Sequence, residues 1–300
     1  MLRRNLYIDT GRDHRSSLLV AGSARSGTTW LADVLNRDKD WRIMYEPFNK
    51  TFVQEALPFK RRQYLRPDCI EAQYVDGAQQ IFSGALRNSW VDRTNRRFLY
   101  RKRIIKEVSA NLMLRWINEL FSEMPTVFII RHPCAVALSR VHVGFGDPTQ
   151  DWLTQPHLLE DHLAPFAELI RSKMSDFDRH VVNWCVENYV PLRQFRAGQL
   201  CVVFYEDLCV EPSAALSQIA EFLGRPIPVP MALLAQPSAQ ATVTAGFASA
   251  ILTGEDLVDN WRQHVSAIDV ARAMKIVALF GLDRIYSQES MPMRDRIFES

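Results

Sequence analysis

Two glycines enclose a short polar segment near the start of the chain. Gly22 and Gly27 are separated by Ser-Ala-Arg-Ser, and Thr28 and Thr29 follow them. A loop of this spacing between a strand and a helix directs backbone N–H groups and the positive end of the helix at an anion. The sequence therefore predicts a phosphate-binding loop, although a structural glycine turn is the alternative for the loop taken alone.

This loop lacks the residues that a magnesium-bound triphosphate needs. Thr28 stands where the lysine of an ATP- or GTP-binding loop would be. Arg131 ends the apolar segment Val-Phe-Ile-Ile, where a magnesium-binding aspartate would be expected. We therefore expect a nucleotide with a shorter anionic chain, bound without a required metal.

A second set of anion-binding residue types follows that apolar segment. The chain reads Arg131-His-Pro-Cys-Ala-Val-Ala-Leu-Ser139. Arginine offers a planar fork of donors and serine offers a hydroxyl, and ligands of α/β proteins bind where parallel strands end. The sequence therefore predicts a second anion site beside the first.

Together, Ala24-Arg-Ser-Gly-Thr-Thr-Trp30 and the Arg131–Ser139 segment resemble the paired signatures of sulfotransferases that use 3′-phosphoadenosine 5′-phosphosulfate (PAPS). Tyr205-Glu-Asp-Leu208 and Trp261-Arg262 resemble later segments of that family. The resemblance implies a donor site with the 3′-phosphate on Arg131 and Ser139, and with the 5′-phosphosulfate on Arg25, Ser26, Gly27, Thr28 and Thr29.

The same resemblance adds three residues to the predicted donor site, Trp30, Tyr205 and Arg262. It implies that Trp30 stacks on adenine, and a core aromatic on a buried helix is the alternative. The cytosolic small-molecule branch of the family carries lysine where this chain has Arg25. Arginine there resembles carbohydrate-type and bacterial members, which favours a carbohydrate, glycolipid or other small-molecule hydroxyl over a phenol or steroid.

Three residues are candidates for the chemistry of sulfuryl transfer, which needs a base for the acceptor and positive charge on the leaving phosphate. Glu46, in Tyr45-Glu-Pro-Phe48, resembles the glutamate base of carbohydrate-type members, with a surface carboxylate as the alternative. Lys106, at the end of Arg103-Ile-Ile-Lys, resembles a lysine near the transferring group. Arg25 is predicted to clamp the phosphosulfate bridge.

Lys106 also ends a run rich in positive charge, residues 87–106. A solvated face is the ordinary explanation of such a run. The alternative is a surface that attracts an acidic carbohydrate or a lipid headgroup. Few aromatic residues are interleaved, so nucleic acid is not the expected partner.

The elements that must position these residues alternate between strand and helix. Apolar segments predict strands at 17–23, 103–106, 126–130 and 200–205. Helical spacing of apolar residues predicts helices at 28–36, 112–121, 133–141 and 211–223, and another from Val181 to Phe195 that is interrupted at Pro191. This alternation predicts a three-layer α/β fold, a parallel sheet with helices on both faces, as one domain over 1–300 with its core at about 17–266. Residues 227–244 are expected to form a loop.

Composition agrees with an ordinary globular protein of 300 residues. The net charge of +2 excludes a strongly basic nucleic-acid binder. No segment has the length of a membrane helix, and the start of the chain lacks the apolar core of a signal peptide, so we expect a cytoplasmic protein. The five cysteines include no Cys-x-x-Cys pair and predict reduced thiols.

No metal site is predicted. His157 and His162 are five residues apart, and two histidines must be four apart to share one metal on a helix face. Two other functions stay open from the residues alone. They are a nucleotide kinase of the same fold and a non-catalytic module that binds a nucleotide or glycan.

Overall fold

The computed structural model describes residues 8–227 and 256–298. Its central sheet has five strands in the order β3-β5-β2-β6-β7, and every neighbouring pair is parallel. A separate two-stranded parallel sheet joins β1 to β4. The strands are β1 (Ile8–Asp9), β2 (Ser17–Gly22), β3 (Arg42–Tyr45), β4 (Leu99–Tyr100), β5 (Arg103–Glu107), β6 (Thr126–Ile130) and β7 (Cys201–Phe204).

Helices follow most of the central strands. Numbered over the described residues, they are α1 (Thr28–Leu35), α2 (Ala72–Phe82), α3 (Leu114–Leu120), α4 (Pro133–His142), α5 (Thr149–Leu153), α6 (Pro156–Leu158), α7 (Ala167–Arg171), α8 (Asp176–Gln194), α9 (Tyr205–Val210), α10 (Pro212–Phe222) and α11 (Ala267–Leu279). None of the described helices combines the length and apolarity needed to cross a membrane.

Helices cover both faces of the sheet, as predicted. Leu18 and Val20 of β2 pack on one face in a cluster that includes residues of α1 and α10. Leu19 and Ala21 pack on the other face in a larger cluster with residues of α3, α4 and α8. Because side chains alternate along a strand and both faces are covered, β2 is apolar at successive positions.

Helix α8 corrects one expectation, since it continues through Pro191. Proline has no N–H, so the carbonyl of Glu187, four residues earlier, loses its usual helical donor. The side-chain amide of Asn111 donates to that carbonyl at 3.1 Å. A tertiary hydrogen bond thus replaces the missing helical one.

Strand β3 was not predicted, because it is short and begins with an arginine. The side chain of Arg42 is fully buried and pairs with Asp9 and Asp92, while Arg103 of β5 also pairs with Asp9. Buried charges persist in proteins when they are paired and hydrogen-bonded. The basic run at 87–106 is therefore not one solvated face, since Arg103 and Lys106 are both buried.

Smaller differences concern the ends of elements. Strand β7 ends at Phe204, and Tyr205 begins α9 instead of closing the strand. Strand β5 extends one residue further than predicted, to Glu107. The loop predicted at 227–244 lies outside the described residues, apart from Ile227. The five thiols are free, and three of them are buried, as expected: Cys134, Cys185 and Cys201.

Candidate active site

A cavity of about 560 Å³ opens at the carboxyl edge of the central sheet. The segments after β2, β3, β5 and β6 all contribute to its lining, because parallel strands end at the same edge. Nine residues predicted from the sequence line it: Arg25, Gly27, Thr28, Thr29, Trp30, Glu46, Lys106, Arg131 and Tyr205. The fold therefore brings the candidate catalytic residues and most of the candidate donor-binding residues into one space.

The loop after β2 has the backbone of an anion-binding site. The first bond of α1 runs from Leu31 N to Gly27 O at 2.9 Å, so the amides of Thr28, Thr29 and Trp30 have no partner within the helix. The hydroxyl of Ser26 is buried and has no hydrogen-bond partner among the described residues. Unsatisfied donors at a helix start fit a phosphate group.

Arg25 connects the two predicted anion sites. Its Nε donates to the Ser139 hydroxyl at 2.9 Å, and Nη1 of Arg131 donates to the Arg25 carbonyl at 3.4 Å. Burial and the nearby Arg131 guanidinium lower the pKa of Arg25. A bound anion would relieve this repulsion, so the arrangement is suited to a ligand with strong negative charge.

Two aromatic rings form one wall beside these cations. The Arg131 guanidinium lies 4.2 Å from the ring centroid of Tyr205, a cation–π distance. Tyr205 and Trp30 are 5.6 Å apart between ring centroids, with a tilt of 58°. Trp30 belongs to the buried core cluster around α1 and also lines the cavity, so its stacking on adenine stays a prediction.

Glu46 and Lys106, which also line the cavity, form an ion pair. The distance from Lys106 Nζ to Glu46 Oε1 is 2.5 Å, and the two side chains are 4% and 18% exposed. Glu46 has a φ of 43°, a conformation that costs free energy for a residue other than glycine. Its amide donates to the Lys106 carbonyl at 2.8 Å, which holds the strained residue beside β5.

Glu107, the residue after Lys106 in β5, lies close to this pair and was not predicted from the sequence. Its fully buried carboxylate accepts hydrogen bonds from the amides of Phe48 at 3.0 Å and of Val108 and Ser109 at 2.8 Å each. Burial and the nearby Glu46 carboxylate raise the pKa of Glu107 to about 7. The signal was present as an acidic residue directly after Lys106, but the strand was expected to end at Lys106.

Glu187 on α8 was also missed, and it braces the phosphate loop. Its carboxylate pairs with Arg140 at 2.6 Å and with Arg62, and Arg140 also donates to the Ala24 carbonyl at 3.1 Å. Although burial alone would raise the pKa of Glu187, the two guanidinium groups lower it to about 2. No sequence pattern identifies this contact, because it joins residues far apart in the chain.

Three predicted residues are not among those that line the cavity: Ser26, Ser139 and Arg262. Ser26 is a buried residue of the phosphate loop, and Ser139 on α4 contacts the lining residue Arg25. Arg262 lies elsewhere, since its guanidinium donates to the Gln288 carbonyl at 2.6 Å and pairs with Asp259 and Glu289. The structure therefore does not bring Arg262 to this cavity.

His132 is a buried structural residue. The Cys134 amide donates to its Nδ1 at 3.2 Å, and its Nε2 lies 3.1 Å from the Ser287 carbonyl. These partners assign the proton of the neutral ring to Nε2. Its ring stacks on Trp261 with centroids 4.4 Å apart. Burial lowers its pKa to about 3, so it stays neutral and joins α4 to the C-terminal segment. In the described part of the chain, no group of three or more His, Cys, Asp or Glu is placed to hold a metal ion.

Comparison with known proteins gives one family and several similar structures. The model of the Sulfotransferase family matches residues 17–229. A search of curated proteins found no match. The sulfotransferase domain of the Synechococcus PCC 7002 olefin synthase is 16% identical, with a TM-score of 0.48, and the match covers 92% of this chain and 98% of that one.

Two further structures are similar over most of their length. The sulfotransferase domain of the curacin biosynthetic pathway is 16% identical, with a TM-score of 0.46, covering 88% of this chain and 96% of that one. A mouse sulfotransferase crystallised with PAP is 16% identical, with a TM-score of 0.44, covering 91% of this chain and 85% of that one.

Proposed function

The chain belongs to the sulfotransferase family, and we propose that it moves a sulfuryl group from PAPS to an acceptor hydroxyl and releases adenosine 3′,5′-bisphosphate (PAP). The observation that supports this best is one cavity lined by a phosphate loop without the kinase lysine, by Arg131, and by the Glu46–Lys106 pair. In this proposal the loop binds the 5′-phosphosulfate, and Arg131 with Ser139 binds the 3′-phosphate.

Each charged residue has one task in the proposed reaction. The acceptor oxygen forms a bond to sulfur as the bond from sulfur to the 5′-phosphate oxygen breaks, and the hydroxyl proton passes to the Glu46 carboxylate. Lys106 and Arg25 stabilise the charge that develops on the departing phosphate. Because Lys106 already holds Glu46 at 2.5 Å, the base and the cation are positioned before a ligand enters.

The strand order supports this division of labour. Arg131 follows β6 on one side of the phosphate loop, while Lys106, near the end of β5, and Glu46, directly after β3, lie on the other. The nucleotide would then occupy the β6 side, and the acceptor would enter from the β3 side. We propose an acceptor of the carbohydrate, glycolipid or small-alcohol type, because Arg25 stands where the cytosolic phenol and steroid branch has lysine.

Donor binding is tested by removing the predicted 3′-phosphate contacts. Charge-assisted hydrogen bonds contribute about 1.5–3 kcal/mol each, so Arg131→Ala with Ser139→Ala should raise the donor KM by roughly two to four decades. Arg101→Gln, an exposed arginine outside the cavity, is the matched control. Unchanged donor kinetics in the double variant would remove the reason for choosing PAPS.

The base is tested separately with Glu46→Gln. We expect PAP to bind with nearly wild-type affinity in calorimetry, while kcat falls by about 10²–10⁴-fold because no base takes the proton of the attacking hydroxyl. Glu221→Gln, an exposed carboxylate on α10, is the control. A kcat within a few-fold of wild type would assign the base to another residue.

Activity measured with a metal chelator separates this proposal from a kinase of the same fold. Kinase chemistry depends on magnesium, whereas sulfuryl transfer from PAPS should continue at the same rate. Binding of PAP without transfer to any acceptor would instead favour a non-catalytic nucleotide-binding module.

A further inference from the structure

The cavity has more positive charge than the proposed donor contacts use. Five basic residues line it, against the single acidic residue Glu46: Arg25, Lys50, Arg61, Lys106 and Arg131. Arg25 and Arg131 lie at the predicted phosphate sites, and Lys106 is paired with Glu46. Lys50 and Arg61 are left over.

Neither Lys50 nor Arg61 makes a hydrogen bond or an ion pair with any residue in 8–227 or 256–298. The Arg61 guanidinium lies 5.4 Å from the ring centroid of Phe145, another residue of the cavity wall. Both side chains are exposed on the cavity wall. Partial desolvation and the neighbouring Arg62 lower the pKa of Arg61, while the carboxylates of Asp151 and Glu187, neither of which forms an ion pair with it, act in the opposite direction. A cation in a concave site with no carboxylate in direct contact attracts an anion more strongly than one on an open surface.

The position of these two residues in the chain assigns them to the acceptor. Both lie in the segment between β3 and α2, which follows Glu46. The segment begins at the edge strand β3 with Glu46, passes Lys50, and at Arg61 reaches Phe145 in the segment after α4. A ligand that extends along this segment from Glu46 would therefore meet Lys50 and Arg61, and in the proposed function that ligand is the molecule whose hydroxyl reaches Glu46.

We propose that the acceptor carries an anionic group, a carboxylate or a sulfate ester, which Arg61 and Lys50 bind while a hydroxyl of the same molecule faces Glu46. This inference rests on the proposed function and narrows it to acidic acceptors. It differs from attraction by the basic run at 87–106, because that run contributes only Lys106 to the cavity lining.

Acceptor selectivity in the presence of radiolabelled PAPS tests the inference. The probes are phenyl β-glucoside, its 6-sulfate and phenyl β-glucuronide, which share one ring and differ in the group at carbon 6. We expect kcat/KM to be about tenfold or more higher for one or both anionic probes, and the better probe identifies the anion. In Lys50→Gln with Arg61→Gln this ratio should fall to within about threefold, whereas Arg101→Gln should keep it.

If none of these glycosides is a substrate, a binding measurement tests whether Lys50 and Arg61 bind an anion. Crystals of the PAP complex soaked in selenate should show anomalous selenium density between Arg61 and Lys50, absent from the double variant. A wild type that binds PAP but shows neither this density nor anionic selectivity would overturn the inference alone. Failure of PAP to bind at all would overturn the proposed function instead.

Discussion

Gly27 is the residue at which the conformation of the phosphate loop and the packing of the cavity wall meet. It has a φ of 92°, and a β-carbon added there would lie 2.7 Å from Cδ2 of Tyr205. Glycine is therefore required at this position for two reasons: the left-handed backbone conformation, and the close approach of the Tyr205 ring, which leaves no room for a β-carbon. Arg25 also has a positive φ, 78°, a conformation that is strained for a residue other than glycine. In this conformation its side chain donates to Ser139.

Gly27→Ala should separate these two requirements when it is compared with Gly198→Ala. Gly198 has a similar φ of 83° but open space around the added carbon. A left-handed alanine costs about 1–2 kcal/mol, and overpacking adds about 1–3 kcal/mol. Thermal denaturation should therefore show a larger fall in Tm for Gly27→Ala, together with weaker PAP binding. Equal falls in Tm would mean that the Tyr205 contact relaxes without cost.

Helix α8 illustrates how an element far from the cavity sets the geometry of the loop. Glu187 reaches Arg140 of α4, and Arg140 reaches the Ala24 carbonyl of the phosphate loop. The same turn of α8 contains Pro191, and Asn111 supplies the missing donor to the Glu187 carbonyl. The proline is tolerated because a neighbouring segment satisfies the backbone that it leaves open.

A double-mutant cycle measures this compensation. Asn111→Ala leaves the buried Glu187 carbonyl unsatisfied and should reduce the free energy of unfolding by about 1–3 kcal/mol. In a Pro191→Ala background the new N–H can bond to that carbonyl, so the same change should cost about 1 kcal/mol less. Denaturant titration of the four proteins gives the coupling energy. A coupling of zero would show that the carbonyl is satisfied in another way.

For the whole molecule, the sheet order divides the cavity into two halves around the phosphate loop. In the proposed arrangement the donor lies at Arg131 and Tyr205, after β6 and β7, and the acceptor lies at Lys106 and Glu46, at the ends of β5 and β3. Three buried carboxylates lie in the elements around this edge, and their environments differ: Glu107 in β5, Glu187 in α8, and Glu206 in α9, which accepts from the His132 amide. Burial raises the pKa of Glu107 and Glu206 to about 7, whereas two arginines hold that of Glu187 at about 2.

The raised pKa of Glu107 predicts a specific dependence of stability on pH. The folded protein binds this proton more tightly than the unfolded chain, whose glutamate has a pKa of 4.5. Its contribution to stability is therefore complete below pH 4.5 and is lost as pH rises through 7. The histidines with lowered pKa titrate in both wild type and variant, so their effects cancel in the difference.

We therefore expect the stability of Glu107→Gln, relative to that of wild type, to increase as the pH rises from 5 to 8. The difference in Tm between the two proteins, followed by calorimetry across that range, is the measurement. Glu221→Gln should show a flat difference, since that carboxylate is exposed. A difference for Glu107→Gln that does not change with pH would mean that this carboxylate titrates normally in the folded state.

Local patterns predicted most of the elements and much of the site. The apolar segments at Ser17–Gly22 and Thr126–Ile130 and the punctuated helices after them were identified correctly, because burial on both faces and helix-start chemistry leave short-range signals. Residue type and spacing also gave the candidate anion-binding residues, most of which line the cavity, and their binding role stays a prediction. Strand β3 was missed because its buried arginine is stable only with partners from distant segments, Asp9 and Asp92.

The sequence by itself determined the family resemblance, the α/β alternation and most of the candidate residues that line the cavity, since each motif and element depends on neighbours within about ten positions. The tertiary structure alone decided which charges are paired. It paired Lys106 with Glu46, placed Glu187 beside the phosphate loop and Arg262 outside the cavity, and left Arg61 with no ion pair among the described residues. Ion pairs and buried hydrogen bonds join residues of unrelated sequence position, so only the folded arrangement specifies them.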